Sequence, residues 1–128
     1  MTYAGLSGND RTFFMAVDNN SKTEVLQIVD NTTDLTVTAL GSIATTTADT
    51  LAITTDGVSP FTAVDNGTSG TAVYQTTTYL EPTTGDKVFG VGTTGPVDIA
   101  IASDNSSIVV TGMSSGTNYP AVRVFYNE

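Results

Sequence analysis

Chemistry in this chain of 128 residues would have to come from carboxylates, hydroxyls and tyrosines. It contains no His, Cys or Trp, thirteen Asp and Glu, and only four Lys and Arg, namely Arg11, Lys22, Lys87 and Arg123. Imidazole and thiolate metal sites, disulfides, Cys nucleophiles and His-based acid–base schemes therefore lack their atoms. One enzymatic route survives, a carboxylate pair of the kind that cleaves glycosidic bonds. Almost all the acids stand in turn-forming sequences, and so short a chain has little room for a deep cleft. No enzymatic activity, no catalytic residue and no cofactor is expected. A formal charge of −9 repels phosphate, so neither nucleic acid nor an anionic membrane is expected as a partner.

The residues left for binding are few. Asp18-Asn19-Asn20, Asp30-Asn31, Asp65-Asn66-Gly67 and Asp104-Asn105 are oxygen-rich turns, and Asp18, Asn20 and Glu24 have a spacing compatible with Ca²⁺. Asp and Asn also favour such turns because they tolerate the left-handed conformation and bond their own backbone. That simpler role is the one adopted, and no metal ligand is assigned. The runs Thr45–Thr47 and Thr76–Thr78 are isolated, unlike the periodic arrays that order ice, and are read as solvent-facing. Tyr3, Tyr74, Tyr79, Tyr119 and Tyr126 could stack on sugars, yet equally suit a protein interface, burying a ring while the hydroxyl stays wet. Arg123, in the terminal run Ala121–Tyr126, is expected to hold a carboxylate within or across subunits. The candidate interface is accordingly Arg123, Tyr126, Tyr119 and Tyr79.

The elements positioning these residues read as β throughout. Short apolar runs recur between clusters of Asn, Asp, Gly, Ser and Thr: Thr12–Asp18, Glu24–Val29, Leu35–Leu40, Leu51–Thr54, Phe61–Val64, Ala72–Thr77, Lys87–Val91, Asp98–Ala102, Ile108–Thr111 and Ala121–Tyr126. No window carries an apolar stripe at helical spacing, and 25 Thr residues disfavour helix through restricted χ1. The pattern also repeats. Leu51-Ala52-Ile53-Thr54-Thr55-Asp56-Gly57 returns 48 residues later as Ile99-Ala100-Ile101-Ala102-Ser103-Asp104-Asn105. Phe14 and Ala16–Asn20 return 47 residues later as Phe61 and Ala63–Gly67, and Val25-Leu26 falls opposite Ala72-Val73 at that offset. The expectation is one domain over residues 1–128 with about 11 short antiparallel strands. These form three repeats of about 47 residues, approximately 1–48, 49–96 and 97–128, each of four strands except the last, which ends after three.

Gly95–Gly112, with its apolar-Ala-apolar strand, Asp-Asn turn and second strand ending in Val-Thr, resembles a β-propeller blade of the YVTN or lactonase-like kind. Phe61–Asp65, Ala72–Tyr74 and Pro82–Gly85 follow the same template. The resemblance implies a propeller-like fold without lactonase activity, since no catalytic or metal-binding side chain of those blades is carried over. Propellers close with 4–8 blades, so fewer than three require a second chain, and a two-fold dimer of about six blades is the simplest ring. A β-trefoil or β-prism, and a β-sandwich or jelly roll, are the alternatives. The opening residues hold no basic stretch followed by an apolar one, so no secretory signal is expected. With charged residues at only 13%, hydroxyl-rich surfaces suit lasting contact with protein. The expected role is a non-enzymatic assembly protein of a virion, such as a bacteriophage capsid decoration or cement protein. It would be made in the host cytoplasm and would partner itself and a capsid shell. The alternative is a small oligomeric lectin-like or adhesive module that binds glycans.

Overall fold

The computed structural model describes residues 2–6, 11–18, 22–44, 51–65, 71–80, 87–89, 93–102, 104–114 and 120–126. Among them every regular element is a strand, every pairing is antiparallel, and there is no helix. The strands are β1 (Thr2–Leu6), β2 (Thr12–Asp18), β3 (Lys22–Asp30), β4 (Leu35–Ala44), β5 (Leu51–Thr55), β6 (Pro60–Asp65), β7 (Thr71–Gln75), β8 (Thr78–Tyr79), β9 (Lys87–Phe89), β10 (Thr93–Ile101), β11 (Ser107–Ser114) and β12 (Pro120–Tyr126). They form three four-stranded sheets in the orders β1-β2-β3-β4, β5-β6-β7-β8 and β10-β11-β12-β9. The third sheet thus takes its outermost strand from the chain that precedes it.

Ten strands lie where the apolar runs place them. Two-residue β8 and the Gly-interrupted β1 carry too little apolar signal to stand out. β7 stops two residues short of Thr77, because Thr76 adopts φ +54° and opens the turn. β10 begins at Thr93, five residues ahead of Asp98, and its register against β11 slips between Thr94 and Asp98. That irregularity surrounds Pro96, which has no N–H to give to a ladder.

The middle sheet is the covered one. Pro60–Val64 are buried without interruption, as expected of a strand packed on both faces. One face carries Ala52, Phe61, Ala63 and Val73 against Ile99, Ile108 and Val110 of the third sheet, with Leu80 and Ile101 alongside. The other carries Ile53 against Phe14, Ala16 and Leu40 of the first sheet. β5 lies centrally, with β1 and β2 on one side and β10 on the other.

Phe14 pairs with Gln27 and Ala16 with Val25, while Phe61 pairs with Gln75 and Ala63 with Val73. Val25 therefore corresponds to Val73, one residue beyond the alignment of Val25 with Ala72 expected from the sequence. The second strands are offset by 47 residues and the third by 48, because the hairpin between β6 and β7 is one residue longer.

Candidate interaction surface

The outer face of the first sheet is built by β2, which is apolar on both sides, and by the apolar positions of β3 and β4 beside it. In β2, Thr12, Phe14 and Ala16 are buried while Phe13, Met15 and Val17 are half-buried, the period-two pattern of a strand. Register places Phe13 beside Ile28 and Ile28 beside Val37, and Met15 beside Leu26 and Leu26 beside Ala39. Leu35 follows on the same face, opposite Asp30. Phe13, Met15, Leu26, Ile28, Leu35 and Val37 thus form one contiguous apolar surface. Leu35 is 66% exposed and Val37 59%. Burying either would contribute on the order of 1–2 kcal/mol.

Polar groups stand at its margins. Lys22 Nζ meets Glu24 carboxylate at 2.9 Å with both side chains part-exposed, an ion pair worth about 1 kcal/mol or less. At the other end the β3–β4 turn is held by side-chain hydrogen bonds, one of them from Arg11 ahead of β2. The Thr32 N–H donates to Asp30 Oδ1 (2.7 Å), Asn31 Nδ2 donates to Thr36 Oγ1 (2.7 Å), and Arg11 Nη1 donates to Thr32 Oγ1. This fixes the turn although Thr32 sits at φ +78°. An apolar centre with a polar rim is the usual make-up of a protein interface.

The strand that finishes this sheet is bent by design. Between Val25 and Leu26 the register on β4 skips Leu40, a bulge that swings Leu40 onto the Phe14–Ala16–Ile53 cluster. Gly41, beside it, has φ +144°, and a Cβ there would lie 2.7 Å from Thr77 Cγ2 in the β7–β8 turn. Glycine therefore lets the first and second sheets approach.

The acidic turns act on their own backbone. Asp56 Oδ1 accepts from the Val58 N–H (2.8 Å) and the Ser59 N–H (2.7 Å), while Asp104 Oδ1 accepts from the Ser106 N–H (3.0 Å). Bonds from the Ser106 side chain and backbone hold the Asp104 carboxyl below its ordinary range. Asn105 takes φ +59°, the conformation that made Asn expected there. Among the described residues no three acidic side chains gather as a metal cluster. Asn19, Asn20 and Asn66 lie outside the described residues, as do Thr45–Thr47.

Three of the four interface candidates, Tyr79, Arg123 and Tyr126, lie on described strands. Tyr79 is 41% exposed and its ring lies 5.5 Å from that of Tyr74, tilted by 55°. Burial, and then the Tyr79 charge, raise the Tyr74 pKa. Arg123 is paired through its backbone with Val110 and Val88, and Tyr126 with Ser107. Tyr119 lies outside the described residues. Tyr79 stands in the second sheet and Arg123 and Tyr126 in the third, apart from the apolar face of the first. The signal for that face was in the sequence: Phe13-Phe14-Met15-Ala16-Val17 is unbroken, whereas a sheet with one wet face alternates.

No helix among the described residues is long and apolar enough to cross a membrane. The chain matches no protein-family model, no curated protein and no solved structure.

Proposed function

We propose that this chain is a non-enzymatic structural protein that works by self-association and by covering other protein surfaces. A virion component such as a bacteriophage capsid decoration or cement protein, made in the host cytoplasm, is the class that fits. The observation that carries the reading is the apolar outer face of the first sheet, with Leu35 and Val37 more than half exposed. Contiguous patches of this kind are rare on proteins that work alone. The same reading takes the three sheets as propeller-like blades. Its support is the matched register of Phe14–Gln27 with Phe61–Gln75, and the way β1 and β10 flank β5.

The double substitution Leu35→Glu and Val37→Glu tests the role. Both positions are exposed in the monomer, so the far-ultraviolet circular dichroism spectrum should be unchanged. Co-sedimentation with purified particles and with itself should be lost. Undiminished association by the double variant would refute the reading. A lectin-like module is the second reading, favoured by the exposed Tyr79 ring beside Tyr74. Retained binding on a glycan array that Tyr79→Ala abolishes would select it.

A further inference from the structure

The hydrogen-bond phase of the ladders gives the stacking of the three sheets a direction. Along an antiparallel pair, residues that exchange backbone hydrogen bonds alternate with residues that do not, and the two sets project from opposite faces. The Asp56 N–H donates to Ser59 O (3.4 Å), which puts Thr54–Phe61 and Ala52–Ala63 in the bonded phase of β5 and β6. The Ala102 N–H donates to Ser107 O (2.9 Å), which leaves Ile101–Ile108 and Ile99–Val110 in the non-bonded phase of β10 and β11. The middle sheet thus offers its bonded face to the non-bonded face of the third.

The first junction has the same sense. The Asp30 N–H donates to Arg11 O (2.9 Å) and the Thr76 N–H to Pro60 O (2.8 Å), so Phe14–Gln27 and Phe61–Gln75 share one phase. The Phe14 face of the first sheet therefore corresponds to the Phe61 face of the second, and it packs on Ile53, on the opposite face of that second sheet. Both junctions are head-to-tail and use like residues: Phe14, Ala16 and Ile53 in one, Phe61, Ala63 and Ile101 in the other. A stack with this polarity ends in two unlike faces. One is the apolar outer face of the first sheet. The other, on the third sheet, carries exposed Ala100 and Thr111 and half-buried Ser107, Val109 and Val124, with Asp98 in register opposite Thr111 and Lys87 opposite Val124 at its margins.

We propose that these two ends join between copies: the outer face of the first sheet in one chain is covered by the outer face of the third sheet in a second copy. Two chains then close a six-sheet ring through two identical junctions that continue the polarity of the internal ones. The inference rests on the assembly reading above and adds which surfaces meet. Register equivalence names the contact. Ala100, Val109 and Val124 occupy the places of Ala52, Ala63 and Val73, and Met15 and Val17 those of Thr62 and Val64.

Met15→Glu and Val109→Glu, each on a different end of the stack, test it by sedimentation. Each variant alone should be a monomer at concentrations where the wild type is a dimer. Mixed in equal amounts they should recover dimer, weaker than the wild type's, because one of the two junctions then joins two unsubstituted faces while the other joins the two substituted ones. A Val109→Glu chain that stays dimeric beside a monomeric Met15→Glu chain would mean that first sheets pair with each other, which overturns the inference and leaves the assembly reading standing. A closed oligomer larger than a dimer overturns the six-sheet ring, and a monomeric wild type overturns both proposals. A second version does not depend on tolerating a charge. The chain has no Cys, so Met15→Cys with Ala100→Cys in one chain should give disulfide-linked dimers under oxidation, and Met15→Cys alone should not. Absence of the cross-link in the double variant, or its presence in the single one, contradicts the proposal.

Discussion

Replacing Thr62 by Val exchanges a buried hydroxyl for a methyl group at almost constant volume, in the middle of the most buried strand. Thr62 is 0% exposed, and its Oγ1 is a buried side-chain oxygen with no hydrogen-bond partner among the described residues. An unsatisfied hydroxyl of this kind costs about 1–3 kcal/mol, and the substitution removes that cost while adding an apolar contact. The expected gain is about 1–2 kcal/mol, or roughly 4–7 °C in Tm for a chain of this size. Thr23 supplies the control: it is equally buried, but its hydroxyl has a partner. Thr23→Val should therefore lose about 1 kcal/mol. Urea unfolding of both variants at one fixed protein concentration reads the difference without confusing it with mass action. A loss of stability in Thr62→Val equal to that in Thr23→Val would refute the reasoning.

Three further outcomes follow from the turns and the bulge. Gly41→Ala should destabilise by about 1–3 kcal/mol, because the left-handed φ is strained for any side chain and the new Cβ meets Thr77. Adding Thr77→Ala should return only the steric part, which thermal melts of the single and double variants would separate. Asp56→Ala removes the acceptor of two backbone N–H groups and should cost about 1 kcal/mol, measured by the urea midpoint. The folded pKa of Asp104 lies below its ordinary value of 3.8, so its contribution is fully present above that value and lost as the pH falls through the folded one. Asp104→Asn should accordingly lower the urea midpoint at neutral pH and leave it unchanged at the acid end, where the native carboxyl is protonated.

The strands were legible because period-two burial and Asp, Asn and Gly turns are local signals. β2 shows this best, with its bounds at Thr12 and Asp18 readable from the chain. The bulge at Leu40 was not legible, because nothing in Thr-Ala-Leu-Gly shows which residue the partner strand will skip. The origin of β9 was also hidden: a three-residue strand gains its place only from pairing with β12, and that partner lies more than thirty residues away. For the interface the sequence pointed to rare residue types, Arg and Tyr. Beside exposed Tyr79 the structure also exposes ordinary ones, Leu35 and Val37, whose exposure depends on which face of β4 remains uncovered. Only the pairing of three sheets decides that.

Sedimentation equilibrium of the wild-type chain across about a hundredfold range of concentration addresses the central claim most directly. Self-association through the uncovered faces predicts a species of twice the 13.2 kDa chain mass, with monomer growing in on dilution. A mass of 13.2 kDa at every concentration would contradict it.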